Sequence, residues 1–181
     1  MKQGKSGFTI VELLIVIVVI AVLAAISIVA YNGIQTRAEN TKSISAASAW
    51  AKGLQLYKID KGDYPNINSC LGDTNTYTDS NGGVCWGATG STTWVVQAAF
   101  LAAMKDYIGT FPSPSSKNVH AGASEFRGAM YYVPSGPTSA EVRVNLFGIF
   151  GLSNCPQISG LNSPYSTGTW ANGSACIYKL P

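Results

Sequence analysis

The chain has 181 residues, with 12 Lys and Arg, 9 Asp and Glu and a single His, for a formal net charge of +3. That length allows one modest globular domain beyond any long helix, and with so small a charge no basic stripe proposes nucleic acid as a dominant partner. Charged residues make up only 12% of the chain; Gly, Ser, Thr and Asn crowd its second half, as in exposed extracellular surfaces built from loops and strands.

Met1 to Gly7 is polar, carries Lys2 and Lys5 and no acid, and ends in a glycine where the apolar sequence begins. From Leu13 to Ala30 the run is apolar except for Ser27, and no charged residue occurs between Glu12 and Arg37. A helix rising about 1.5 Å per residue crosses a bilayer core over such a length. Glu12 is the anomaly, because a carboxylate at the head of a lipid-soluble helix is penalised unless it meets a partner. An ordinary secretory signal is cut after its apolar segment, and contexts for that exist at Val22-Leu23-Ala24 and Ala25-Ile26-Ser27, but Glu12 fits an h-region badly. An uncleaved anchor beginning at Met1 is the other alternative.

The residues Gly7-Phe8-Thr9-Ile10-Val11-Glu12-Leu13-Leu14 resemble the leader junction of type IV prepilins. The resemblance implies that a membrane prepilin peptidase cuts between Gly7 and Phe8 and that the new amino terminus on Phe8 is methylated. It also implies that Glu12 of one subunit meets the Phe8 amine of a neighbour when apolar helices pack in a filament core. A buried pair of that kind specifies register more than it stabilises, while either charge alone would be heavily penalised. Ala24-Ala25-Ile26 and Ala30-Tyr31 extend the likeness. The glycine and proline that pilins often carry near positions 21 and 29 are replaced by Ala21 and Val29, which leaves Asn32-Gly33 as the nearest weak point in the helix.

Three segments follow: 1–7, a leader that is removed; 8–33, an apolar membrane or filament-core helix; and 34–181, an extracytoplasmic domain that includes the second half of the helix. Lys2 and Lys5 hold the amino terminus in the cytoplasm by the positive-inside rule. Ile44, Ala47, Trp50, Ala51, Leu54 and Tyr57 recur at three- and four-residue steps, predicting an amphipathic continuation of the helix to about Lys61, stopped by Gly62 and Asp63. Gly62-Asp63-Tyr64-Pro65 is similar to the turn that follows the long helix in pilins and secretion pseudopilins.

Asn66 to Thr93 reads as a loop. Its Asp73-Thr74-Asn75 and Asp79-Ser80-Asn81 lack the turn glycine and closing glutamate of a calcium loop, so turn chemistry is expected and no metal. Trp94 to Ile108 reads as a short helix. Ala129 to Val133 and Val142 to Phe150, joined through Pro134 to Pro137, read as a hairpin, and Ala175 to Leu180 as a terminal strand. Ser153 to Ser174 reads as an irregular loop, which the resemblance to pilins implies is exposed and variable, and in which Tyr165 and Trp170 either make surface contacts or anchor the loop. Asn172-Gly173-Ser174 fits a glycosylation acceptor pattern.

Cys70, Cys85, Cys155 and Cys176 form an even set without Cys-x-x-Cys spacing, which favours two disulfides over zinc. Three pairings are open; joining Cys70 to Cys85 and Cys155 to Cys176 is favoured because each bridge then closes a local loop of turn-forming residues. His120, the sole histidine, has no nucleophile or metal-ligand spacing beside it, and Glu125 and Glu141 are carboxylates that adjacent strands could bring together.

The fold expected is α+β, a long helix packed on a small antiparallel sheet, as in pilins. The function expected is that of a type IV pilus subunit, inserted in the membrane before assembly, processed by prepilin peptidase and polymerised with its own copies into a helical filament by the pilus assembly machinery. No cofactor and no catalysis are expected. A pseudopilin or minor pilin is the alternative, and a membrane-anchored enzyme is the alternative from another class.

Overall fold

The computed structural model describes residues 7, 9–78, 83–87, 93–120 and 124–181. Helix α1 spans Ile10–Lys61, 52 residues, and runs without a break through Asn32-Gly33. The chain divides into two units, Met1–Thr36 and Arg37–Pro181.

The second unit is built around the amphipathic part of α1. Ala47, Trp50, Ala51 and Leu54 are fully buried, with Ile44 and Tyr57 packed against them, so the three- and four-residue steps do mark the core face. Trp50 stacks between Phe100 and Phe111, at 5.5 and 5.4 Å between ring centres, and its indole N–H donates to the Pro112 carbonyl at 2.8 Å. Gly53 stands where Ile108 crosses the helix; a Cβ there would lie 2.3 Å from the Ile108 side chain. The helix ends at Gly62, whose φ of 88° is the left-handed conformation that stops helices, with its N–H bonded to the Lys58 carbonyl at 2.8 Å.

Strands β1 (Ser69–Cys70), β5 (Ala129–Tyr132), β6 (Glu141–Phe147), β7 (Pro164–Trp170) and β8 (Gly173–Lys179) form an antiparallel sheet in the order β1-β5-β6-β8-β7. Strands β2 (Val84–Gly87), β3 (Trp94–Val95) and β4 (Glu125–Phe126) form a smaller one, ordered β3-β2-β4. The fold is α+β, as expected. Alternation along the strands divides the cores. Ala129, Tyr131, Val142, Val144, Leu146, Cys176 and Tyr178 join α1 and the short helix α2 (Ala98–Met104) in one cluster. Met130 packs instead with Cys70, Tyr77 and Cys85, against Trp86, Trp94 and Tyr132.

Several elements differ from the sequence reading. Asn66 to Thr93 is not simply a loop, since it contains β1 and β2. The segment read as a helix from Trp94 begins as strand β3 and turns helical only at Ala98, because Trp94-Val95 pairs with β2 before the helical spacing of Phe100, Met104 and Ile108 takes over. The first hairpin strand ends at Tyr132, and β6 stops at Phe147 rather than Phe150, because Gly148, with φ 65°, turns the chain. The larger correction is β7: Ser153 to Ser174 holds a seven-residue edge strand bonded along β8. Its Ser, Thr and Gly content conceals a strand that the open edge of β8 organises.

Asn40 fastens the helix to the end of β6. Its amide donates to the Phe147 carbonyl at 2.9 Å and its oxygen accepts from the Phe147 N–H at 2.8 Å, completing the ladder where the strand stops. Asn40→Ala would leave both backbone groups of Phe147 without these partners and is expected to destabilise the domain by about 1–3 kcal/mol, read as a lower denaturation midpoint of the full chain in detergent micelles. Asn40→Asp, which keeps the acceptor and loses the donor, should fall between the two.

Candidate functional site: the head of the apolar helix and the bridged domain

Among the described residues α1 is the one helix long and apolar enough to cross a membrane. Every described large apolar side chain from Ile10 to Ile34 is at least 50% exposed in the isolated chain. Within the run the Ser27 hydroxyl donates to the Leu23 carbonyl at 2.7 Å, so the lone polar side chain is satisfied by its own helix.

At the head of the run Thr9 and Glu12 form a reciprocal cap. The Thr9 N–H and hydroxyl donate to Glu12 Oε2 at 2.8 and 2.7 Å, and the Glu12 N–H donates to Thr9 Oγ1 at 3.3 Å. This is the capping box of a Thr-x-x-Glu sequence, in which each side chain satisfies a backbone donor that the first helical turn leaves open. The sequence reading gave Glu12 a role and Thr9 none, although the spacing was there to be read. Gly7 is exposed; Phe8, like Lys2 and Lys5, lies outside the described residues.

Cys70 and Cys85 are bridged, with Cα atoms 5.8 Å apart, and the bond joins β1 of the larger sheet to β2 of the smaller. Cys155 and Cys176 are bridged at the same Cα separation, fastening the segment after β6 to β8. No cysteine is free.

The remaining singled-out side chains are held in structural contacts. His120 lies 5.4 Å from the Phe126 ring and 5.7 Å from Trp170 between ring centres, and its Nδ1 is buried without a hydrogen-bond partner. Glu125 and Glu141 are not brought together: they lie in different sheets, and each pairs with the arginine two residues on, Arg127 and Arg143. The Arg143 guanidinium also lies 4.1 Å over the Tyr132 ring. Trp170 stacks on Phe126 at 3.9 Å and so anchors β7. Tyr165 is exposed, donates its hydroxyl to Glu141, and is pushed up to about 12 by burial of its hydroxyl and by that hydrogen bond. Asp73 accepts from the Asn75 N–H at 3.0 Å and the Thr76 hydroxyl at 2.8 Å, ordinary turn chemistry; Asp79-Ser80-Asn81 lies outside the described residues. No group of three or more His, Cys, Asp or Glu that could hold a metal occurs among the described residues. Asn172 is exposed, whereas Ser174 of the same acceptor pattern is fully buried.

Two outcomes test this geometry. Thr9→Ala should cost the first turn about 1 kcal/mol, seen as faster amide exchange at the head of α1 in micelles with the domain unchanged. Replacing Cys70 and Cys85 together by Ser should lower domain stability by about 3 kcal/mol, the value for a loop of this size in the chain-entropy account, read by denaturant titration; reduction of the native chain, which opens both bridges, should lower it further.

Residues 2–28 match the family model described as the prokaryotic N-terminal methylation motif. The chain is 36% identical over 72 residues to the fimbrial protein EcpC of Eikenella corrodens, covering 40% of this chain and 47% of that protein. It is 34% identical over 70 residues to the type II secretion system core protein G of Aeromonas hydrophila, covering 39% and 49%. It is 31% identical over 82 residues to the type IV major pilin protein PilE1 of Neisseria gonorrhoeae, covering 45% and 50%. The chain thus spans about half the length of each of these relatives. No solved structure gives a significant match. With the capped glutamate and the exposed apolar run in place, these matches establish that the chain carries the N-terminal methylation motif of prokaryotic prepilins and has type IV pilins and secretion-system core proteins G among its relatives.

Proposed function

We propose that this protein is a structural subunit of a type IV pilus. The observation that carries the reading is the apolar run from Ile10 to Ile34, uncovered by any part of the described chain and headed by Glu12 within the methylation motif. In the membrane lipid tails solvate that run; in a filament copies of the same run replace them, and apolar surface stays out of water in both states. Residues 1–7 are the leader, cut by a prepilin peptidase between Gly7 and Phe8, and Phe8 is then methylated. Residues 8–33 form the membrane and core segment, and residues 34–181 the extracytoplasmic part, displayed at the cell surface after assembly.

The capping box gives Glu12 a role before assembly. A carboxylate already holding two donors from Thr9 is partly compensated for leaving water. Because Thr9 follows the proposed cut, the box survives processing, and the cationic Phe8 amine of a neighbouring copy then adds a charged partner. The two disulfides and the arginine-clamped sheets are scaffold, and the chain acts without catalysis; His120, wedged between rings, has no part in a reaction.

The likeness to core protein G of type II secretion systems supports a second reading, a subunit of a short secretion pseudopilus. It uses the same helix and the same processing and differs in filament length and abundance, which imaging of the cell surface separates.

Mass spectrometry of the native protein tests the central reading. The expected species lacks residues 1–7, carries one methyl group on Phe8 and holds both disulfides; a mature chain that still begins at Met1 would overturn it. Glu12→Ala is expected to insert in the membrane at the normal level and to yield few filaments. Normal filament yield from that variant would remove Glu12 from assembly.

A further inference from the structure

Outside the apolar run, and apart from Tyr165, whose hydroxyl is bonded to Glu141, the exposed large apolar side chains among the described residues of the second unit fall at two places. Leu56 and Ile59, three residues apart on α1, are 52% and 81% exposed. Phe150 and Leu152, on either side of Gly151, are 46% and 42% exposed. Both places adjoin the buried core. The first lies on a helix whose opposite face carries the fully buried Leu54. The second follows β6, where Ile149 turns into the core and the Asn154 amide donates to the Phe150 carbonyl at 2.7 Å.

The two patches lie at opposite ends of the domain's helix. Phe150 and Leu152 follow Phe147, which is bonded to Asn40, whereas Leu56 and Ile59 come about 25 Å further along α1 at 1.5 Å per residue. Either patch pairing with itself would close a twofold dimer. One patch pairing with the other on the next molecule makes a heterologous contact that repeats without closing.

We propose that Leu56 and Ile59 of one copy dock on Phe150 and Leu152 of the next, so that the domain carries its own head-to-tail contact in addition to the helix core. The proposal rests on the filament reading above. Four side chains fall far short of the roughly 800 Å² per partner of a stable complex between free proteins, so neither patch can recruit a partner from solution. The occupant must be delivered by a larger contact at high effective concentration. The described chain has one such surface, the uncovered run from Ile10 to Ile34, and copies gathered through it bring both patches with them. The occupant is therefore a second copy of this chain.

The test uses the full-length chain in assembling cells, with surface filaments sheared off and analysed without reduction. Ile59→Cys together with Leu152→Cys in one chain should cross-link on mild oxidation into a ladder of multimers, whereas the two single variants co-expressed should stop at dimers. Dimers from Ile59→Cys or Leu152→Cys expressed alone would show a patch meeting itself and overturn the head-to-tail pairing. Filaments that form without any cross-link would overturn the pairing and leave the filament reading intact; an unmodified chain that never polymerises would sink both. Because new cysteines can scramble the native bridges, a charge swap gives a second readout. Ile59→Asp alone and Leu152→Lys alone should each lower filament yield about tenfold, and the two combined should restore most of it. No restoration, with the domain folded in each variant, would overturn the contact.

Discussion

An apolar helix surface of some 25 residues cannot be left in water, and nothing in the described chain covers it between Ile10 and Ile34. At about 25 cal/mol per Å² such a surface represents a driving force larger than the whole stability of an ordinary domain. In the function proposed here lipid supplies the cover first and other copies supply it later. Both environments are apolar, so the transfer between them is close to balanced, and polar details decide register. Ser27 bonds its own backbone, and Glu12 is held by Thr9. The carboxylate is the one charged group in the run, and in that proposed function it is the group that would distinguish correct from incorrect packing of neighbours.

The domain solves a different problem. Its part of α1 has one buried face, and that face is covered by a sheet whose two sides are both occupied: α1 and α2 on one, the three-stranded sheet on the other. The Cys70–Cys85 bridge ties the two sheets together where β1 contributes only two residues to the ladder. Such a short edge strand is weak alone, and the covalent bond holds it. Cys155–Cys176 does the same for the segment that carries Phe150 and Leu152 back to the sheet. Fastened in this way, exposed loops keep a fixed shape without a large core behind them.

Aromatic and arginine side chains extend the smaller apolar cluster between the sheets. Trp86, Phe126 and Trp170 pack edge to face and face to face, and Arg143 spans Tyr132 and Trp86 while paired with Glu141. These contacts account for several of the few charges in the domain, and they hold Glu125 and Glu141 in ion pairs and His120 against aromatic rings.

The order of residues alone determined the apolar run, the motif at its head, the amphipathic continuation to Lys61 and the central hairpin, because each is a local pattern: hydrophobic length, a spacing of three or four, a turn flanked by alternating residues. Thr9 was equally legible as the partner of Glu12 by its spacing. Tertiary structure decided what no local pattern encodes. β7 is a strand because β8 presents a free edge to a Ser- and Thr-rich segment, and β1, β2 and β4 are too short to show a period. Trp94 and Val95 became a strand rather than the start of a helix because β2 lay beside them. The separation of Glu125 from Glu141 and the placing of Phe150 and Leu152 at the far end of the domain from Leu56 and Ile59 depend on how strands are ordered in space, a property of contacts between residues distant in the chain.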